Sequence, residues 1–155
     1  NLYGKVAYPK KHSPANIPSL YRWAASRGGI FVNPALTEPF GLTLLEASSC
    51  GLPIIATDDG GPKEIHAKCE NGILVDVTDT NQLKIALEKG ISNSYQWKLW
   101  SRNGIEGVHR HFSWKTHVRN YLSILKGHYQ KSTIVSSFGI KESCLKGSSS
   151  LIKPH

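Results

Sequence analysis

Short, wholly apolar runs alternate along this chain with stretches whose apolar residues recur at helical spacing. The runs at residues 30–32, 54–56 and 72–75 show no polar alternation, which is typical of parallel strands buried on both faces. Parallel strands need long crossover connections, and helices usually supply them. The sequence therefore predicts an α/β domain with a Rossmann-like parallel sheet flanked by helices.

The predicted helices have recognisable starts. Pro18 suits the first turn of a helix, where its missing N–H costs nothing. Asp79 and Gln82 have the spacing of a capping box, which opens another helix. Further helical stretches are predicted at residues 42–49, 62–65 and 95–109, and after a capping Ser113.

Three strands are few, because a doubly wound sheet commonly has about five or six. The chain has 155 residues and contains no methionine. We therefore expect a fold that is incomplete at its N-terminus, in a fragment or a processed product. Residues 1–125 are predicted to form this partial domain. Residues 126–155 are rich in Ser and Lys and lose the periodicity, so they are predicted to form a flexible tail.

The net charge of +8 raises the question of nucleic-acid binding. Residues 1–37 hold five Lys and Arg and no acid, and residues 126–155 hold five Lys and one acid, Glu142. The stretch between them is nearly neutral. Because aromatic interleaving and a nucleic-acid-binding motif are both lacking, no nucleic-acid partner is expected.

The three cysteines, Cys50, Cys69 and Cys144, are widely spaced and form no Cys-x-x-Cys pair. This pattern argues against a disulfide framework and against a zinc site, and it favours a reducing, cytoplasmic setting. The apolar runs are too short for a membrane-spanning helix, so no membrane partner is expected.

The stretch at residues 33–46 is the candidate binding site, because it follows a strand and ends in a helix. Open α/β sheets bind ligands at the carboxyl ends of their strands, and a helix N-terminus offers free N–H groups. The amides of Gly41, Leu42 and Thr43 are therefore expected to hold a phosphate oxygen. Gly41 has no side chain, so a ligand is expected to approach its backbone closely.

Two carboxylates lie in this stretch, Glu38 in the loop and Glu46 in the helix. A carboxylate accepts paired hydrogen bonds from vicinal hydroxyls, so the layout suits a sugar at one end and a ribose at the other, with phosphates between them. The alternative is that Glu46 is only a solvated helix residue. Leu44 and Leu45 are predicted to belong to the core.

These residues carry a resemblance to a known family. The run Glu38-Pro39-Phe40-Gly41-Leu42-x3-Glu46 is followed by Gly51-Leu52-Pro53 and Gly60-Gly61-Pro62. It resembles the donor-binding, C-terminal domain of retaining glycosyltransferases with the GT-B architecture, and within them most closely the plant-type sucrose-phosphate synthases. The resemblance covers about residues 4–125. The chain departs from the pattern at Asp58-Asp59, where family members often carry a basic or amide residue.

The resemblance implies an enzyme activity for the full-length chain. Glucose would pass from UDP-glucose to fructose 6-phosphate, giving sucrose 6-phosphate and UDP, with retention of configuration. The partner would be the N-terminal acceptor domain of the same enzyme. No cofactor and no metal ion are implied, and the isolated fragment is expected to be inactive.

The resemblance also implies residue roles. Glu38 would contact hydroxyls of the donor glucose near the reacting carbon, as a positioning group and not as a nucleophile. Glu46 would bind the ribose hydroxyls. The complete substrate-binding set is Glu38, Pro39, Phe40, Gly41, Leu42, Thr43 and Glu46. Two alternatives stay open, namely another retaining transferase of this architecture, such as a sucrose synthase, and a truncated donor-binding module without catalysis.

Overall fold

The computed structural model describes residues 4–7, 11 and 13–135. The described elements follow the predicted alternation of helix and strand. They are a 3-10 turn at Pro14–Asn16, α1 at Ile17–Ser26, β1 at Phe31–Asn33, α2 at Leu42–Ser49, β2 at Ile54–Thr57, α3 at Gly61–Cys69, β3 at Gly72–Val75, α4 at Thr80–Ser92, α5 at Ser94–His111 and α6 at Trp114–Val135.

The three strands form one parallel sheet in the order β1-β2-β3. Val32 pairs with Ile55, and Ile55 in turn pairs with Ile73. All four residues of β2 are buried, as expected of a central strand between two neighbours and two helical layers. The predicted parallel sheet flanked by helices is confirmed.

Side chains of β2 alternate between two apolar clusters. Ile54 and Ala56 belong to the first cluster. Its other buried members are Leu44 and Leu45 of α2 and Ile65 and Cys69 of α3. Ile55 faces the opposite side, where it packs with Val75 and Ala86. This alternation follows from the period of two along a strand. The prediction that Leu44 and Leu45 are core residues is confirmed, since they are 0% and 9% exposed.

The chain divides into two compact units, Asn1–Ser113 and Trp114–His155. In the second unit, α6 continues past the predicted boundary at residue 125 to Val135. Four apolar residues at helical spacing on α6 are exposed, namely Val118, Tyr121, Leu122 and Leu125. Residues 136–155, the rest of the predicted tail, lie outside the described residues. Among the helices that the structure describes, none has the length and apolar character needed to cross a membrane.

Asp79 caps α4 as the sequence predicts. Its Oδ1 accepts hydrogen bonds from the amides of Asn81 at 2.9 Å and Gln82 at 3.2 Å. The side chain of Gln82 donates to Asp79 Oδ2 at 3.1 Å. Hydrogen bonds from Gln82, followed by that from Asn81, lower the pKa of Asp79 below its ordinary value. The charged form is therefore the one that stabilises the start of the helix.

Replacing Asp79 with alanine should lower the melting temperature by about 2–8 °C at neutral pH. Because the folded-state pKa is lowered, the stabilisation is present above the ordinary Asp range and is lost as the pH falls through the folded value. The difference between wild type and variant in thermal unfolding should therefore shrink on acidification. The control is Glu88→Ala on the same helix. Glu88 Oε1 lies 3.9 Å from Lys84 Nζ in an exposed ion pair, so its loss should change the melting temperature little.

Candidate functional site

The β1–α2 loop, residues 34–41, leaves the carboxyl end of β1 and is fastened to the turn that follows β2. Glu38 forms an isolated parallel bridge with Gly60. The amide of Gly61 donates to the carbonyl oxygen of Glu38 at 2.8 Å. The loop therefore extends the sheet edge, which is where parallel α/β sheets bind ligands.

Both oxygens of the Glu38 carboxylate accept hydrogen bonds. The side-chain amide of Asn33 donates to Oε2 at 3.1 Å. The backbone amides of Gly41 and Phe40 donate to Oε1 at 3.0 Å and 3.4 Å. Glu38 is half-buried, so this charge is held in one place at the entrance to α2 by donors of the same loop and strand.

The start of α2 leaves two backbone donors for a ligand. Gly41 is the N-cap of α2 and has no side chain that could accept a hydrogen bond from the first helical amides. Leu42 and Thr43 are the first two helical residues, so their amides have no acceptor within the helix, and none is found for them among the described residues. Both residues are exposed. Because the amides of Phe40 and Gly41 serve Glu38, the amides that can receive an anion are those of Leu42 and Thr43.

Gly41 has a packing role that the structure makes visible. Its φ of 92° lies in the left-handed region, which side chains disfavour. A Cβ at this position would lie 2.9 Å from Ile65 Cδ1 and 3.0 Å from Leu44 Cδ1. The side of Gly41 that lacks a side chain therefore faces the core. This packing constraint was not expected from the sequence, and the close approach of a ligand to the Gly41 backbone stays a prediction.

Gly60 and Gly61 allow two backbone segments to touch. A Cβ on Gly61 would overlap the backbone of Phe40, and a Cβ on Gly60 would overlap the carbonyl oxygen of Glu38. Phe40 itself is 52% exposed, and Pro39 beside it is exposed as well. The two glycines thus set the depth at which the β1–α2 loop lies against α3.

Asp59 contributes a second fastening of the same loop. Thr37 Oγ1 donates to Asp59 Oδ2 at 2.9 Å, and the amide of Asp59 donates to Thr57 Oγ1 at 3.2 Å. The hydroxyl of Thr57 in turn reaches the carbonyl oxygen of Leu36 at 3.5 Å. The departure from the family pattern at this position therefore supplies an acceptor that holds Thr37.

Glu46 lies away from Glu38 and lines a cavity of about 480 Å³ between α1 and α2. Tyr21 forms part of its wall, and the Tyr21 ring meets Phe31 edge-on at 5.4 Å between centroids. Burial, and after it the negative charges of Glu46 and Cys50, raise the pKa of Tyr21. Glu46 is exposed. The other lining residues are Pro14, Ile17, Pro18, Arg22, Ser49 and Cys50.

The predicted site residues thus fall into two groups. Hydrogen bonds join Glu38, Phe40 and Gly41, and the amides of Leu42 and Thr43 follow directly along the chain. Glu46 stands apart, in the cavity. Within the described part of the chain, no group of three or more His, Cys, Asp or Glu side chains is arranged to hold a metal ion.

Sequence reasoning missed Asn33, Thr37 and Asp59 as parts of the site. Each acts through a side chain that contacts another segment or the far end of the loop. The sequence could have pointed to these residues through their positions at or after the carboxyl ends of β1 and β2. Residues at the carboxyl ends of parallel strands converge at one edge of the sheet.

Comparison with known proteins adds the family. Residues 1–107 match the family described as Glycosyl transferases group 1. The chain belongs to the group 1 glycosyltransferases. This group 1 glycosyltransferase is 51% identical to Sucrose-phosphate synthase 4 of Arabidopsis thaliana over 123 residues, which are 79% of this chain and 12% of that protein. Sucrose-phosphate synthase of Zea mays is 50% identical over 109 residues, 70% of the chain and 10% of that protein.

The predicted resemblance to plant sucrose-phosphate synthases is therefore confirmed, and the chain spans about 12% of the length of the first of these relatives. Two solved structures support the fold. A C-terminal domain from Francisella tularensis superposes with a TM-score of 0.58 at 30% identity, covering 70% of this chain and 53% of that one. A sucrose-phosphate synthase from Thermosynechococcus elongatus gives 0.54 at 24% identity, over 84% of this chain and 37% of that one. The fold is that of the GT-B glycosyltransferases.

Proposed function

We propose that this chain is the nucleotide-sugar-binding part of a retaining glucosyltransferase that converts UDP-glucose and fructose 6-phosphate into sucrose 6-phosphate and UDP. Identity of about one half to plant sucrose-phosphate synthases supports this substrate pair. The observation that carries the proposal is the loop geometry. One carboxylate is held at the sheet edge, two free amides start the next helix, and a second carboxylate lines a cavity.

Glu38 positions the donor glucose. Its carboxylate accepts three hydrogen bonds, which occupy lone pairs on both oxygens. The same bonds fix its direction, so that its remaining acceptor capacity can meet sugar hydroxyls near the reacting carbon. Such a group acts by orientation.

The amides of Leu42 and Thr43 would receive the diphosphate. Negative charge grows on this group as the bond from glucose C1 to the phosphate oxygen breaks. Donors fixed at a helix start, together with the helix dipole, stabilise that charge without any proton transfer. The leaving diphosphate would then assist attack by the acceptor hydroxyl on the same face of the sugar, which retains the configuration.

Glu46 would bind the ribose. Its carboxylate opens into the cavity between α1 and α2, where the walls include Tyr21, Ile17 and Pro18. A base needs an apolar surface to lie against, and vicinal hydroxyls need a bidentate acceptor. The cavity offers both, about one helical turn along α2 from the free amides.

Calorimetry of the full chain with UDP-glucose and UDP tests the proposal. Both are expected to bind, with UDP-glucose tighter because of the Glu38 contact. A folded chain that binds neither ligand would overturn the proposed function. In a longer chain that also carries an acceptor domain, product should form with fructose 6-phosphate and not with fructose; the reverse preference would indicate a sucrose synthase instead.

The cellular setting is also proposed to be reducing and cytoplasmic. Cys50 is half-buried and Cys69 is buried, and both are free. Burial raises the pKa of the Cys69 thiol to about 11, so that thiol is unreactive at neutral pH.

Glu46→Gln should weaken UDP by about tenfold, because an amide cannot accept from two vicinal hydroxyls with the strength of a carboxylate. Thermal stability should not change, since Glu46 is exposed. Glu88→Gln, an exposed carboxylate on α4, is the matched control. With 2′-deoxy-UDP, which lacks one hydroxyl of the pair, Glu46→Gln should cause little further loss. Equal losses with both nucleotides would contradict the ribose assignment.

A further inference from the structure

Asn33 is the last residue of β1 and is half-buried. Its backbone is fixed in the sheet, where it pairs with Ala56 of the central strand. The Cα of Asn33 is therefore held by the sheet. The loop that follows has no such pairing along β2 and is exposed over much of its length. Asn33 is therefore a fixed reference point beside the β1–α2 loop.

The two ends of the Asn33 amide have different partners. Oδ1 accepts a hydrogen bond from the amide of Ala35 at 3.1 Å, which closes a turn of the Asx type. The backbone N–H of Ala35 can only donate, so the oxygen must face it. The nitrogen is consequently directed at Glu38, to whose Oε2 it donates at 3.1 Å.

Glu38 depends on this donor for its orientation. A glutamate side chain has three rotatable bonds, and the donors on its other oxygen belong to the loop itself, at Phe40 and Gly41. Asn33 is the partner that ties the carboxylate to the sheet. Without it, the carboxylate can rotate about its side-chain bonds, even though the backbone of Glu38 stays fastened to Gly60 and Gly61.

We propose that Asn33 is a positioning residue for donor-sugar binding, because its side-chain amide holds the Glu38 carboxylate in the direction that meets the glucose hydroxyls. The inference rests on the proposed function for its ligand, and it adds a residue that acts on glucose through Glu38 alone. It predicts that Asn33 affects the glucose part of the donor and leaves the nucleotide part untouched.

Asn33→Asp separates this role from a structural one. The substitution keeps the acceptor for Ala35 and nearly the same side-chain volume, but it replaces the donor with a carboxylate that faces Glu38. Affinity for UDP-glucose should fall by about tenfold or more, while affinity for UDP should stay within about twofold of wild type. A side chain that only shaped the turn would leave both affinities unchanged, and one that only maintained the fold would lower both alike.

A pH series gives a second readout of the same variant. As the pH falls, the carboxyl group introduced at position 33 takes up a proton and can again donate a hydrogen bond to the Glu38 carboxylate. UDP-glucose affinity of Asn33→Asp should therefore recover towards wild type below about pH 5. The other ionisable groups of the protein are the same in both proteins and cancel in the comparison; one of them, Asp59, accepts from Thr37 of the same loop.

Two further variants keep the test decisive. Asn103→Asp introduces the same charge at a side chain that donates to the carbonyl oxygen of Glu70 at 3.3 Å, away from the loop, and should bind UDP-glucose as wild type does. Asn33→Ser keeps a short acceptor for Ala35 without reaching Glu38. It should lower UDP-glucose affinity by about threefold to tenfold with no recovery at low pH.

Amide NMR of the free protein tests the contact without any ligand. In Asn33→Asp the Gly41 amide resonance should move, because its acceptor Glu38 is displaced, while the Ala35 amide should keep its hydrogen bond to the side chain at position 33 and its slow exchange with solvent. An unmoved Gly41 resonance, or unchanged UDP-glucose affinity, would overturn the inference. If wild type bound no UDP-glucose at all, the proposed function would fail, and the Gly41 resonance alone would decide whether Asn33 orients Glu38.

Discussion

Replacing Gly61 with alanine is expected to lower both the stability of the protein and its affinity for UDP-glucose. The added methyl group would overlap backbone atoms of Phe40, and no side-chain rotation can relieve such a contact. Either the start of α3 or the β1–α2 loop must move. Overlap of this kind costs about 1–3 kcal/mol of folding free energy, and movement of the loop would also break the 2.8 Å bond from the Gly61 amide to the Glu38 carbonyl oxygen.

Gly107→Ala is the matched control for Gly61→Ala. Its methyl group would lie 2.7 Å from Cys69 Sγ and 2.8 Å from Cys69 Cα, so it disturbs the packing of α5 on the far end of α3. Both variants should unfold at lower temperature. Well below that temperature, only Gly61→Ala should lose UDP-glucose affinity, by about tenfold. Similar affinities of the two variants would show that the position of the loop is not set by Gly61.

Glu38→Gln is expected to lower UDP-glucose affinity by at least about tenfold while leaving UDP within about threefold of wild type. The carboxylate accepts from Asn33 on one oxygen and from Gly41 on the other. An amide group has one oxygen and one NH2, so it must present a donor to one of these two donors. The usual conservative substitution therefore breaks the arrangement that directs the side chain, besides removing the charge that meets the sugar.

The control for Glu38→Gln is Glu64→Gln on α3. Glu64 is exposed and pairs with Lys68 at 2.6 Å, an interaction that contributes little to stability at the surface. The Glu64→Gln variant should bind UDP and UDP-glucose with the affinities of wild type. Calorimetry with UDP and UDP-glucose on each variant gives the comparison. If Glu38→Gln lost UDP and UDP-glucose equally, Glu38 would be holding the loop for the diphosphate and would not be a glucose contact.

Much of the fold was predictable because its signals are local. The apolar run of β2 lacks polar alternation because both of its faces are covered, and Asp79 with Gln82 marks a helix start through bonds that span only three residues. The two glutamates of the site were found for a similar reason, since both lie in one continuous stretch whose spacing is visible in the chain. The reason for Gly41 was not predictable, because the atoms that exclude its Cβ include Ile65 of another helix.

Local chain chemistry is thus sufficient for the order of strands and helices, for the helix start at Leu42 and for the choice of Glu38 and Glu46 as candidates. Tertiary structure alone decided that Glu46 opens into a cavity beside Tyr21. It also decided that Gly61 and Asp59 fasten the loop from the neighbouring turn. The physical reason is range: turns and caps form between near neighbours in the chain, whereas the site is assembled where β1 and β2 end side by side.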